Sequence, residues 1–177
     1  MLTFKKMTLL DADEIFQWRK KEHVTKYMYT NLDEDKNKHL KWVRDNIDSK
    51  ENQYYVIYSN DVKIGLISLN EIDYRNNRAS SGFYIGDQNY SLIASRILPY
   101  FLNYAFFEFN LNKIVIEVMS NNLGMKKMDL HYGFREVGIL QDHIYKDEKY
   151  YDVEILELTK KKWNTMVKFH SLIASFE

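Results

Sequence analysis

The chain has 177 residues, which suits one domain with its own core, and a hydrophobic fraction of 45% with 14 Tyr and 10 Phe excludes a disordered chain. Lys plus Arg and Asp plus Glu number 25 each, and a formal charge of zero argues against nucleic-acid binding and against charge-driven membrane binding. No cysteine is present, so disulfide scaffolds, thiolate metal sites and a cysteine nucleophile are excluded together.

The first residues, Met1 to Lys6, have no apolar core followed by a small-residue cleavage site, so no leader is expected. Asp11 to Glu22 predicts a helix, with Asp11, Asp13 and Glu14 early and Arg19, Lys20 and Lys21 late, matching the helix dipole. A second helix is predicted from Asp33 to Ile47, with Leu40, Val43 and Ile47 on one face and Glu34 within reach of Lys38. Strands are predicted at Tyr54 to Tyr58 and Lys63 to Leu69, joined by a hairpin turn at Ser59-Asn60-Asp61. A third follows the Asn76-Asn77 turn, over Ala79 to Ile85. A long helix is predicted from Ile93 to Glu108, with Asn110 near its C-cap. Its apolar part, Ile97 to Phe107, is interrupted by Pro99 and Asn103 and is too short to span a bilayer.

Lys113 to Met119, alternating and β-branched, is the clearest strand. Asn121-Asn122 opens a short helix to Leu130, closed by Tyr132-Gly133-Phe134. Glu136 to Tyr145 and Tyr150 to Leu158 form a final hairpin across Lys146-Asp147-Glu148-Lys149. Trp163, Met166, Val167, His170 and Ile173 recur at helical spacing and predict a helical extension over 163–177, a packing helix or a contact between two copies. The five His show no metal-ligand spacing, Asp33-Glu34-Asp35 lacks the spacing of a calcium loop, and Lys160-Lys161-Lys162 is a solvated strand exit; no metal is expected. A cytoplasmic protein is the expectation.

The predicted order, α-α-β-β-β-α-β-α-β-β, resembles the GNAT acetyltransferase superfamily. So do Tyr104 to Ile114, the segment Glu117-Val118-Met119-Ser120-Asn121-Asn122 with its later Gly133-Phe134, and Tyr150-Tyr151-Asp152 followed by Lys162-Trp163. The resemblance implies one α/β (α+β) domain over residues 1–177, with a mixed, mostly antiparallel sheet splayed between strands 4 and 5. Trp18-Arg19, Tyr27-Met28-Tyr29-Thr30 and His39-Leu40-Lys41-Trp42 narrow it to the branch that acetylates UDP-linked 4-amino-dideoxy sugars of the pseudaminic-acid pathway. That branch implies acetyl-CoA as co-substrate, a nucleotide sugar as acceptor and no metal, with acetyl passed directly in a ternary complex. Two alternatives stay open: a protein N-terminal acetyltransferase, and a degenerate GNAT domain that binds a ligand without catalysis.

An amine attacks a thioester only as the free base, so a proton acceptor is required. The resemblance implies Glu117 with Ser68 for that task, and burial of Glu117 in its apolar run would suit it. The residues alone also allow a solvent-facing glutamate on a half-exposed strand. The cofactor pyrophosphate needs clustered backbone N–H groups at a helix N-terminus. The family's glycine-rich stretch corresponds to Asn89-Tyr90-Ser91-Leu92-Ile93-Ala94, which matches only at Ala94. Leu92 and Ile93 lack glycine's freedom, so backbone groups of Leu92, Ile93, Ala94, Ser95 and Arg96 are the expected donors, with Tyr84, Ile85 and Asn122 also on the cofactor. Seven residues after Asn122 the family places a tyrosine that protonates the thiolate; here Asp129 stands there, with Tyr132 as a substitute donor. Arg19, Met28, Tyr29, His39 and Trp42 are the implied nucleotide contacts, with Met28 and Trp42 equally at home as helix packing and His39 expected to be exposed.

Overall fold

A computed structural model of the chain describes residues 2–32 and 35–177. The chain divides into two compact units, one of residues 1–72, 81–97 and 174–177, the other of residues 73–80 and 98–173. The strand Arg78–Ile85 (β4) contributes its first three residues to the second unit and the rest to the first.

In the first unit the strands run in the order β4-β3-β2-β1-β8. They are Leu2–Lys6 (β1), Gln53–Ser59 (β2), Val62–Asp73 (β3), the later part of β4, and Ser175–Phe176 (β8). β1 was not predicted, because only its fitness as a leader is visible in five residues; it pairs antiparallel with β2. The β2–β3 turn forms where expected: Asn60 and Asp61 have φ of 47° and 66°, the left-handed pair that a two-residue hairpin loop needs. Ile64 to Leu69 are all buried, so this stretch of β3, apolar except for Ser68, has both faces covered.

The first predicted helix breaks at Lys21, whose ψ of 132° ends Ala12–Lys20 (α1) and starts Glu22–Thr25 (α2). Asp11 lies outside α1 and is buried, with its carboxylate 2.8 Å from Lys63 Nζ. Lys36–Ile47 (α3) starts where the Asp35 carboxylate accepts from Asn37 N at 2.8 Å. Asp33 and Glu34, with the predicted helix start and the Glu34–Lys38 pair, lie outside the described residues. Met7, Ala12, Ile15, Trp18, Val43, Val56 and Leu66 form one core cluster, on which Leu40, Trp42, Ile47, Tyr54, Tyr58 and Tyr84 pack.

In the second unit the order is β6-β7-β5-β4. Lys113–Met119 (β5) pairs in parallel with β4 from Arg78–Lys113 to Ser80–Val115, and antiparallel with Lys149–Thr159 (β7) along its whole length. Arg135–Lys146 (β6) and β7 form the predicted hairpin, turning on Asp147 and Glu148. The predicted long helix is two pieces: Ala94–Asn103 (α4), which opens in the first unit, and a π-helical turn over Tyr104–Glu108 in which Phe109 N bonds Tyr104 O at 2.8 Å. Asn110 then takes a φ of 65°.

Leu123–His131 (α5) is capped by Asn122, whose side chain accepts from Met125 N at 3.2 Å. It ends in a Schellman arrangement: Phe134 N bonds Asp129 O, Gly133 N bonds Leu130 O, and Gly133 supplies the left-handed φ of 92°.

The spacing that predicted a helix over 163–177 describes something else. Lys160–Trp163 (α6) is one turn, Val167–Phe169 a single 3-10 turn, and Ser175–Phe176 the strand β8. Asn103 holds this segment: its Nδ2 donates to Phe169 O at 2.9 Å and Leu172 O at 2.8 Å, and its Oδ1 accepts from Trp163 Nε1 at 3.0 Å. Trp163 stacks on Phe169. A side chain that satisfies three polar groups of this segment does the work that helical hydrogen bonds would have done.

Candidate active site

The predicted nucleotide contacts all lie in the first unit. Arg19 sits at the end of α1, and its charge acts on Tyr54, Tyr84 and His39. Its Nε is buried and has no hydrogen-bond partner; the Tyr84 hydroxyl is in the same condition. Burial pushes the Tyr84 phenol far above its ordinary value, with Arg19 pulling weakly the other way, and moves Tyr54 in the same direction for the same reasons. Aromatic planes surround the pair: Trp18 meets Tyr84 edge-on at 6.5 Å, Trp42 meets Tyr54 edge-on at 5.0 Å, and His39 stacks on Trp42 at 5.7 Å.

His39, expected on an exposed face, is buried, and its Nε2 lies 2.8 Å from Ala12 O. That carbonyl, 27 positions away in sequence, draws the ring inward, and burial holds its pKa below the ordinary value. His39 is therefore a structural link between α3 and the start of α1. Met28 and Tyr29 are half-buried in the irregular segment after α2. Tyr54 joins the cluster although its sequence context marks only a strand.

The predicted cofactor stretch is a 3-10 turn over Gln88–Ile93 leading into α4. The Asp87 carboxylate accepts from Asn89 N at 3.0 Å and Tyr90 N bonds Asp87 O, which tightens the turn. No residue from Gln88 to Arg96 has a positive φ, so the absent glycines cost this backbone no strain. Ser91, Leu92, Ser95 and Arg96 are exposed, Leu92 at 88%, and Ile93 and Ala94 are half-exposed. An arginine and the start of a ten-residue helix fit a pyrophosphate. Ile85 is buried at the end of β4. Ser68, on β3, is buried; its hydroxyl donates to Gly82 O at 3.3 Å and accepts from Asn70 Nδ2 at 2.9 Å.

The remaining candidates lie in the second unit. Glu117 is exposed on β5, between buried Ile116 and Val118. Strand alternation turns it away from the apolar side, so the burial expected of it is not there. Asp129, on α5, is only 1% exposed; its Oδ2 has no partner, and burial pushes its carboxyl up to about 7. Tyr132 is buried three residues later at the C-cap, in ring contact with His131 and Phe169. Asn122 serves as the helix cap described above. Among the described residues no group of three or more His, Cys, Asp or Glu is placed to hold a metal, and no helix is long and apolar enough to cross a membrane.

Two side chains that the sequence does not mark also stand here. Lys21 Nζ donates to Gly86 O at 2.8 Å, and His23 Nε2 lies 3.1 Å from Ile85 O. Their partners are more than sixty residues away in sequence, beyond the reach of any local pattern.

The family profile described as acetyltransferase (GNAT) domain matches residues 4–155, a span that holds every residue named above as a site candidate. An uncharacterized N-acetyltransferase, p20, of Bacillus licheniformis is 28% identical over 169 residues, covering 92% of this chain and 94% of the relative. A putative ribosomal N-acetyltransferase of Bacillus subtilis (strain 168) is 28% identical over 100 residues, 56% of this chain and 55% of its own length. Among solved structures, spermidine N-acetyltransferase of Vibrio cholerae in complex with CoA and spermine superposes with a TM-score of 0.85 at 22% identity, over 92% of this chain and 98% of that one. These relatives share acetyl transfer; the narrower likeness to the pseudaminic-acid branch finds no support in them.

Proposed function

Because the chain belongs to the acetyltransferase (GNAT) domain family, an α/β fold on an open sheet, we propose that it moves acetyl from acetyl-CoA to the amine of a nucleotide-linked sugar, of the UDP-4-amino-dideoxy class. One observation carries the choice of acceptor: the buried Arg19 Nε and Tyr84 hydroxyl, both without a partner, among the rings of Trp18, Trp42 and Tyr54. A leftover cationic donor and a phenol suit anionic oxygens, and neighbouring aromatic planes suit a flat base. A polyamine, the acceptor named in the Vibrio cholerae structures, is itself a polycation and meets like charge at Arg19.

Acetyl-CoA supplies an activated acyl group with a thiolate leaving group. Backbone groups at Leu92 to Arg96, and the Arg96 side chain, receive its pyrophosphate, while β4 residues Tyr84 and Ile85 line the acyl end and offer backbone donors to the oxyanion. Glu117, exposed on β5, takes the ammonium proton through a water, the task that the family resemblance implies for it. The amine nitrogen then bonds the acyl carbon as the carbon–sulfur bond breaks, and it releases its second proton to solvent to leave the amide. Asp129, poised near neutrality without a partner, returns a proton to the thiolate, and Tyr132 stands behind it.

The test is thiol release by the full chain from acetyl-CoA with a UDP-4-amino sugar, spermidine or an N-terminal peptide as acceptor. The UDP-amino sugar is expected to support turnover, with a KM that rises at least about tenfold in Arg19→Met, as loss of a charged hydrogen bond requires. Turnover with spermidine alone would overturn the acceptor assignment and leave acetyl transfer standing. Absence of acetyl-CoA binding by a folded protein would overturn both.

A further inference from the structure

The backbone that leads from β4 into the cofactor segment is held on every side. Gly86 N and Asp87 N both bond Ile64 O, at 2.8 and 3.2 Å, which spends the two donors. The two carbonyls are taken by side chains from the α1–α2 junction: Lys21 Nζ on Gly86 O and His23 Nε2 on Ile85 O. Trp18, in the last turn of α1 just before Lys21, closes the third side. A Cβ added to Gly86 would stand 2.1 Å from Trp18 Cγ, so the ring lies flat against bare backbone. Without Lys21 and His23 the carbonyls of Ile85 and Gly86 would need other donors, while the bonds of Gly86 N and Asp87 N to Ile64 O would remain.

The junction can make these bonds because Lys21 is extended, with φ −73° and ψ 132°. That break ends α1 and turns both Lys21 and His23 toward the β4 exit. Lys21 is an exposed residue although its ammonium is bound to a carbonyl, an arrangement with no use as core packing. The segment that begins at Asp87 then needs only the short Asp87–Asn89 and Asp87–Tyr90 bonds to become the 3-10 turn before α4. Whatever fixes residues 85–87 therefore fixes where that turn starts.

We propose that Lys21 and His23 are positioning residues for the cofactor: by bonding Gly86 O and Ile85 O they set the place of the 88–96 segment and so its affinity for the CoA pyrophosphate. The inference rests on reading that segment as the pyrophosphate site. It acts through backbone placement, not through a side chain on the phosphate, because the Lys21 ammonium is already committed to a carbonyl. It also ties α1, whose last turn carries Arg19, to the turn that receives the cofactor, so the two substrate sites share one support.

Calorimetric titration of the full chain with acetyl-CoA tests it, with thermal melting of each variant alongside. His23→Leu removes a donor without a fixed charge, and Lys21→Met removes donor and charge; each is expected to raise Kd about tenfold, the worth of one lost hydrogen bond, at an unchanged melting temperature. His23→Gln, whose amide can still donate to Ile85 O, and Lys21→Arg are expected to restore most of the affinity. Unchanged Kd in both loss variants overturns the proposal. A rise in Lys21→Met alone also overturns it, since that result belongs to a direct charge on phosphate. A fall in melting temperature that tracks every rise in Kd reduces the pair to structural supports. If the unaltered chain binds no acetyl-CoA, the pyrophosphate reading itself fails, and that is seen before any variant is made.

Discussion

Asp129→Asn separates the cost of burying a carboxyl from its use. In the unfolded chain this aspartate titrates near 3.8, and in the folded protein near about 7, because burial penalises its charged form and no partner offsets that. Between those two pH values the unfolded chain has released a proton that the folded chain keeps. Stability therefore falls as pH rises, by about 1.4 kcal/mol for each pH unit, and reaches a loss of about 4 kcal/mol near pH 7. Above that both forms are ionised and the loss stays level; below pH 3.8 it vanishes. An asparagine has the same outline and cannot ionise, but its buried amide brings unpaired donors that cost about 1–2 kcal/mol. The Asp129→Asn protein should thus be slightly less stable than the parent at pH 4, equal to it near pH 5, and about 2 kcal/mol more stable at pH 8. Urea unfolding of both proteins at half-unit steps measures this, and the difference between them cancels every other titrating group. Parallel curves from pH 4.5 to 8 would refute the reasoning, and would mean that Asp129 is charged and solvated in the native state. The same protein should release thiol more slowly, so the gain in stability would come with a loss of function.

Asn103→Leu strands Trp163 Nε1 and the carbonyls of Phe169 and Leu172, and at about 1 kcal/mol for each lost bond the urea stability should drop by about 3 kcal/mol. An unmoved midpoint would show that ring stacking alone holds residues 163–172. Glu117→Gln should keep acetyl-CoA affinity in calorimetry and slow turnover about a hundredfold, the usual worth of a general base; an unchanged rate would remove Glu117 from the chemistry.

What could be read before the structure was local. The hairpin turns at Asn60-Asp61 and Asp147-Glu148, the strand Lys113–Met119 and the Asn122-capped helix follow from residues that lie beside one another. The failures come from partners distant in the chain. His39 is buried because Ala12 O needs a donor, and the 163–177 segment is irregular because Asn103 replaces its helical bonds. Glu117 is a different case: the alternation of Ile114, Ile116 and Val118 already assigns it to the opposite face, and the apolar content of the run outweighed that period. The missing glycines before α4 misled in another way. Glycine is needed only where φ is positive, and a 3-10 turn avoids that region, so the composition overstated the obstacle. Asp129 was marked by its place after Asn122, but its lack of any partner is a property of the packed helix and not of the spacing.

The strand β8 gives the chain an order of events during its synthesis. Thr3 pairs with Ser175 and Phe4 with Phe176, the two rings stacked at 4.3 Å, so β1 waits for a partner strand made far later in the chain. On a ribosome, β1 can dock on β2 as soon as residue 59 has emerged, yet its other edge and one face of the Phe4 ring stay bare for more than a hundred residues of further elongation. A nascent chain of this kind carries an open strand edge through most of translation, the condition under which neighbouring copies on one message are most able to join. Residues 175 and 176 then act as a latch that is thrown only when they emerge, and their arrival marks the end of that exposure.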